Sequence, residues 1–242
     1  RSPYAHAKII SIDTSKAEKM DGVFAVITSK DIPINQKIDG SKSIKRDAEN
    51  ILASKKVLYK GHAVAAVSAT DRNTAKEACK LIKVEYEVLE PVKNVDEAIA
   101  KNAPIILDDL ESDHLGEKVK NSNIAQHFRH ALGNIKDGFD KSDLIVEREF
   151  NLQMVHQGYI EPHNATAHWD ENNHLSLWSS TQGQFAVRDL TAGFLDLSIS
   201  KVTTFPVEIG GGFGGKTKVY LPPLAAIPVS YTHLRAHETS LH

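Results

Sequence analysis

Short apolar runs set off by polar or glycine positions recur through the first ninety residues and predict a compact α/β unit. Residues 8–12 and 23–27 are β-branched stretches separated by 17–21 and a turn at Gly22, the pattern of strand, short helix, strand. Residues 34–50 are mostly polar and charged and read as a mobile surface loop. Two more strands are expected at 57–59 and 64–69, on either side of Lys60 and Gly61. Asn73 stands where a helix cap is wanted, and Ala75, Ala78, Cys79 and Ile82 share one helical face, which places Cys79 in the core. Residues 83–88, K-V-E-Y-E-V, alternate charged and apolar side chains as a half-exposed strand with Val84, Tyr86 and Val88 inward. Pro91 closes the unit.

From 93 to 121 the apolar pattern weakens and charge is scattered, as in a connector. Order resumes at Ile124, with a strand expected at 144–150 and a hairpin of 165–169 and 175–178 about Asn172 and Asn173. In the helix that follows, Val187, Leu190 and Phe194 recur at i, i+3 and i+7. A last strand, 201–209, runs into a glycine loop. There is no internal repeat or low-complexity tract.

Composition narrows the function classes. At 242 residues, 41% hydrophobic and 25% charged, the chain is long enough for a real core and for two domains or one large one. A net charge of −2 with interspersed signs gives no footprint for nucleic acid and no membrane-directed patch. One cysteine, Cys79, excludes an intrachain disulfide framework and any multi-cysteine metal cluster supplied by this chain alone. No stretch has the apolar length of a membrane span and the opening R-S-P-Y-A-H-A has no signal-peptide core, so the cytoplasm is the expected compartment. The sequon at Asn164 then carries no glycan. A chain that begins at Arg1 rather than Met reads as a piece of something longer.

Residues 209–217, I-G-G-G-F-G-G-K-T, constrain the backbone most. Glycine this dense signals left-handed backbone or a ligand that approaches closer than a Cβ allows. The phosphate-loop pattern is met by Gly210, Gly215, Lys216 and Thr217, and the dinucleotide pattern by Gly210, Gly212 and Gly215. Both patterns need a helix starting at the last glycine. Pro222 and Pro223 oppose such a helix, and too few residues follow for an alternating sheet. A plain glycine turn between strands is the third reading.

Three pieces bear on the choice: Q-G-Y-I-E-P-H at 157–163, S-S-T-Q at 179–182, and the glycine loop. With the opening R-S-P-Y-A-H-A and the K-G-H-A-V-A-A-V segment, they resemble the large, molybdopterin-binding subunit of the xanthine dehydrogenase and aldehyde oxidase family of molybdenum hydroxylases, over nearly the whole chain to Val229. The resemblance implies an α/β (α+β) fold: an α/β hammerhead domain at 1–90, a connector at 91–122, and the first part of the molybdenum cofactor-binding α+β domain at 123–229. Gln182 matches the glutamine whose side-chain amide hydrogen-bonds an oxo ligand of molybdenum, a donor that adds no charge beside an anionic centre. Phe213 and Gly214 match positions against the metal and the pterin, and Gly211, Gly212 and Gly215 shape that loop. Glu161 and His163 are candidates for a supporting layer behind it.

The same resemblance implies molybdenum with molybdopterin, in the cytosine dinucleotide form. The 2Fe–2S clusters and FAD would sit on an iron–sulfur small subunit and an FAD-binding medium subunit, in a dimer of heterotrimers. The implied reaction is hydroxylation of an aldehyde or N-heteroaromatic carbon with oxygen from water. Carbon monoxide dehydrogenase and hydroxybenzoyl-CoA reductase share the motifs. Thr217 follows Lys216 where purine-oxidising members carry a glutamate, which counts against xanthine, and no residue matches the general-base glutamate, so the fragment alone is expected to be inactive. Residues 230–242 do not resemble the family and read as translated vector sequence. His233 and His237 there lack the glutamate of the H-E-x-x-H zinc pattern.

Overall fold

Alternation of charged and apolar side chains builds the first sheet of the computed structural model, which describes residues 1–33 and 41–238 and gives the backbone alone for 41–45 and 231–238. The N-terminal elements are β1 (Ala7–Asp13), α1 (Ser15–Glu18), β2 (Val23–Thr28), α2 (Ser41–Ile51), β3 (Lys56–Val57), β4 (Ala65–Ala69), α3 (Arg72–Leu81) and β5 (Lys83–Val88). β1 is the centre of an antiparallel β3-β1-β5 sheet, with Ile9 opposite Tyr86 and Ile12 opposite Val84, and β2 pairs antiparallel with β4. Ile9, Ile12, Val84 and Tyr86 close over a small core of Ala7, Ala53, Val57 and Val64. Val88, expected inward, pairs with Ala7 at the end of the strand and is 59% exposed.

Two expectations for α3 are corrected. Its cap is Asp71 and not Asn73: Asp71 Oδ1 accepts from the N–H groups of Asn73 at 2.8 Å and Thr74 at 3.1 Å, so Asn73 already lies in the first turn. Cys79 is exposed, because Ala78 is the residue turned fully inward and its successor is rotated about 100° around the helix.

The polar stretch expected to be a surface loop contains α2; its first part, 34–40, lies outside the described residues. Ala48 and Ile51 of α2 are buried. His62, fully buried, fastens the helix: its Nδ1 accepts from Leu58 N–H at 3.2 Å, which leaves the proton on Nε2 to be donated to the Glu49 carbonyl at 2.8 Å. Burial pushes the His62 pKa down, so the ring acts here as a neutral donor and acceptor.

Residues Glu90–His156 form a separate compact unit. The expected connector is structured: it holds α4 (Val95–Ile99) and a hairpin of β6 (Glu111–His114) and β7 (Glu117–Lys120). Leu115 and Gly116, at φ +55° and +94°, make the tight turn. β8 (Gln126–His127) adds to β6 in parallel, and α5 (Ile135–Asp140) follows. Residues 144–150 are not a strand. They pair with no strand among the described residues, and Leu144 and Phe150 are 79% and 82% exposed.

The remaining segment, Gln157–His242, belongs with Arg1–Leu89 in the larger unit. It contains β9 (Ala165–Trp169), β10 (Leu175–Ser179), α6 (Gln184–Phe194), β11 (Val202–Pro206) and α7 (Leu221–Glu238). The hairpin appears as read from sequence, with Asn173 at φ +55° in its turn. β11 runs parallel to β10, so α6 is the crossover of a β-α-β unit. The core joins both ends of the chain: Ile27, Ile51 and Leu52 pack with Leu175, Leu177, Val187, Phe194, Ala226 and Ile227. Phe194, fully buried, stabilises by roughly 1.5–3 kcal/mol through burial alone. Trp169 donates its indole N–H to the Ala226 carbonyl at 3.0 Å, which ties α7 to the sheet. α7 continues past Ser230 as helix, and 239–242 lie outside the described residues.

Candidate functional site

Strand polarity brings the three sequence motifs together. Ser179 ends β10 opposite Pro206, the end of the parallel β11, and opposite Ala165, the start of the antiparallel β9. The chain on the far side of each position therefore emerges at one end of the sheet: 180–182, 207–217 and 157–163. The carboxyl ends of parallel strands are where α/β sheets present loops to ligands.

The glycine loop is held from both sides. Gln182 Oε1 accepts from Gly214 N–H at 3.0 Å and Lys216 N–H at 3.3 Å, and Gln182 N–H donates to the Lys216 carbonyl at 3.0 Å. Two main-chain donors fix which end of the amide is oxygen, so the nitrogen keeps its hydrogens for another acceptor. Thr181 Oγ1 donates to the same carbonyl at 3.1 Å. On the other side Glu161 Oε2 accepts from Gly210 N–H and from Lys216 Nζ, both at 2.7 Å, while Glu161 N–H donates to the Gly210 carbonyl at 3.2 Å. Asn164 donates to Glu161 Oε1 at 2.9 Å.

Close approach explains three of the glycines. A Cβ on Gly210 would stand 2.5 Å from Glu161 Cβ, one on Gly212 2.5 Å from Gln182 Oε1, and one on Gly215 2.7 Å from Tyr159 Cε1 and 3.0 Å from Gln157. Gly211 and Gly214 have φ of +88° and +85°. Phe213 between them is also left-handed, at φ +50°, and is 72% exposed. Main-chain N–H groups of Gly211, Gly212 and Phe213 have no acceptor among the described residues. Neutral donors converging without a Cβ suit an oxyanionic group, and among the described residues no cluster of His, Cys, Asp or Glu is placed to hold a metal directly. The main-chain donors present thus fit an oxygen-rich anionic cofactor.

Residues 213–216 form a turn, closed by Gly215 N–H donating to the Gly212 carbonyl at 2.7 Å. The next helix starts at Leu221, with Pro222 and Pro223 in its first turn, where their missing N–H groups are not needed. The phosphate-loop and dinucleotide readings are overturned by that geometry. Thr217 Oγ1 donates to the Gly214 carbonyl at 2.8 Å.

Gln182, Glu161 and the loop glycines meet in this arrangement. His163 is half-buried behind them, edge-on to the rings of Tyr159 at 5.4 Å and Tyr220 at 6.3 Å. Sequence reasoning missed Tyr159, which supports the loop at Gly215, and the role of Lys216. The Lys216 side chain is 0% exposed, with its ammonium 5.0 Å above the Tyr159 ring centroid. A lysine is seldom fully buried without a partner, and nothing local marks the carboxylate 55 positions earlier that takes the charge.

Lys216, and next the Gly210 N–H, hold the Glu161 carboxyl below the usual carboxylate range. A group whose pKa is depressed by folding contributes stability above its unfolded value and loses it as the pH falls through the folded one. In the intact subunit, the melting-temperature gap between wild type and Glu161→Gln is expected to be widest near neutral pH. It should close in acid, below the ordinary carboxylate range; a gap independent of pH contradicts this assignment.

The family model for the aldehyde oxidase and xanthine dehydrogenase a/b hammerhead domain matches residues 1–90, and that for the molybdopterin cofactor-binding domain matches residues 116–236. The probable hypoxanthine oxidase of Escherichia coli O157:H7 is 34% identical, over 93% of this chain and 26% of its own length. The carbon monoxide dehydrogenase large chain of Afipia carboxidovorans is 32% identical, over 95% of this chain and 29% of its own. Among solved structures, quinoline 2-oxidoreductase from Pseudomonas putida 86 superposes with a TM-score of 0.76 at 25% identity, covering 96% of this chain and 29% of that one. The chain thus spans between a quarter and a third of the length of these relatives.

Proposed function

Since the chain belongs to the aldehyde oxidase and xanthine dehydrogenase family, we propose that it is part of the cofactor-binding subunit of a molybdenum hydroxylase. Its substrate would be an aldehyde or an electron-poor N-heteroaromatic carbon, hydroxylated with oxygen from water. One observation carries the reading: Gln182 spends its amide oxygen on the glycine loop and keeps its nitrogen as a donor at the same loop whose Gly211, Gly212 and Phe213 N–H groups lack acceptors among the described residues. Bound there, the molybdopterin cofactor supplies the metal centre for oxygen transfer and electron uptake. The protein's share is to hold and orient. Gln182 and the loop N–H groups donate to the cofactor's oxygens without adding charge, and the exposed Phe213 ring offers an apolar wall that keeps water out. No residue of this chain is assigned the general-base role.

The Thr217 hydroxyl is engaged within the loop and is no carboxylate, which supports a non-purine substrate. A carbon monoxide dehydrogenase type of large subunit is the second reading, favoured by the 32% identity to such a chain. In this proposal the 2Fe–2S centres and FAD are carried by partner subunits in a dimer of heterotrimers, a reading supported by the similarity to a carbon monoxide dehydrogenase large chain. The cytosine dinucleotide form of the cofactor and a cytoplasmic location belong to the same proposal; among the described residues no helix is long and apolar enough to cross a membrane.

The test is metal and pterin analysis of the full-length subunit co-expressed with its genomic neighbours. Near-stoichiometric molybdenum with a released pterin nucleotide is the expected result. A folded complex free of molybdenum overturns the reading.

A further inference from the structure

We infer that the Lys216–Glu161 ion pair is a positioning device for Gln182, one that sets the glycine loop so that the glutamine amide faces the cofactor in a single orientation; the inference rests on the molybdenum-cofactor reading above. The bonds form a closed circuit. Glu161 Oε2 takes the first residue of the loop through Gly210 N–H and the last through Lys216 Nζ, each at 2.7 Å. The main chain of the same lysine then holds Gln182, donating to Oε1 and accepting from N–H. Lys216 is therefore one residue with two tasks: its side chain reads the position of Glu161 and its backbone sets Gln182. The lysine end of this circuit is enclosed: Lys216 is 1% exposed, the Tyr159 ring lies under its ammonium, and Asn164 donates to the second oxygen of Glu161.

A buried ion pair is poor at adding net stability, since desolvation offsets most of the attraction and well-packed apolar residues of similar volume often do as well. What such a pair gives is direction. A charged partner at 2.7 Å admits one arrangement of loop ends, whereas an apolar contact would let Gly210 and Lys216 slide past Glu161. A slide of that kind reaches Gln182 directly, because its side-chain oxygen accepts from Gly214 and Lys216 and its own N–H donates to the Lys216 carbonyl.

The test uses the full-length subunit in its complex, with wild type, Lys216→Met, the charge-free pair Lys216→Met/Glu161→Gln, Gln182→Ala and Lys216→Met/Gln182→Ala. Molybdenum content, the molybdenum electron paramagnetic resonance spectrum of the partly reduced protein, and kcat and KM are measured for each. Wild type without molybdenum sinks the cofactor reading, and this inference with it. Given loaded wild type, Lys216→Met should keep most of its molybdenum, lose at least about tenfold in kcat with little change in KM, and shift the spectrum in the same sense as Gln182→Ala. The two changes should be non-additive, with Lys216→Met adding nothing once Gln182 is gone. Independent, multiplying losses, or a wild-type spectrum in Lys216→Met, overturn the inference while leaving the cofactor reading intact. If Lys216→Met fails to assemble, the charge-free pair decides: it leaves no unpaired buried charge, and a wild-type spectrum in it also overturns the inference.

Discussion

An alanine at position 210 is expected to cost the intact subunit its molybdenum. The added Cβ would meet the Cβ of Glu161 at 2.5 Å, and neither atom has a rotamer through which to escape. Gly210 is also bonded to Glu161 through both its N–H and its carbonyl, so relief requires these two segments to separate. Overpacking of this kind costs about 1–3 kcal/mol. On the proposed reading the loop would bind the cofactor through its backbone, so that strain falls on the cofactor site before it reaches the sheet. Molybdenum content measured by mass spectrometry should fall to about a tenth or less of wild type, a factor that corresponds to about 1.4 kcal/mol. Gly138→Ala is the control. Its Cβ meets nothing within 4 Å and its helical backbone accepts alanine, so molybdenum content should be unchanged. Full loading of Gly210→Ala would mean that the loop is not the cofactor's support.

Replacing Gln182 separates holding the loop from donating to the cofactor. Gln182→Ala removes both and is expected to lower turnover about 10²-fold, the scale found when one preorganised donor is deleted from a site of developing charge. Gln182→Glu keeps an oxygen for the N–H groups of Gly214 and Lys216 but has no amide hydrogens, and it sets a negative charge where the cofactor's oxygens are expected. Its loop should stay ordered while its turnover falls as far as in the alanine variant. Steady-state kinetics normalised to molybdenum content checks both. A glutamate variant with near-normal turnover would show that Gln182 works by shaping the loop alone.

What could be read from the residues follows from how local the causes are. The hairpin, the crossover helix and the glycine loop declare themselves within a few positions, through alternation at 165–179, the spacing of Val187, Leu190 and Phe194, and five glycines in a row of six. The resemblance then joined Gln182 to the loop, 32 positions away, which spacing alone does not do. α2 was masked by its charge: Ile44, Ala48 and Ile51 do recur at i, i+4 and i+7, but lysine, arginine and aspartate between them made the stretch read as solvent-facing. Residues 144–150 failed in the opposite sense, because an apolar, β-branched run becomes a strand only when an edge is available to pair with it. Lys216 was beyond reach, since its burial depends on Glu161 coming from another strand end. Cys79 was one helical step from correct.

The shared core also governs how this polypeptide reaches its fold on the ribosome. Ile27, Ile51 and Leu52 emerge early, yet Leu175, Leu177, Phe194 and Ile227 are among the residues that cover them, and Ile227 follows Ile27 by roughly 200 positions. At about 5–20 residues per second the wait is on the order of 10–40 s. Through that interval the faces of β2 and α2 have no lasting cover. Contacts of such sequence separation form late and slowly. Nascent chains arrested between positions 90 and 175 are therefore the state of this protein most in need of a chaperone's grip.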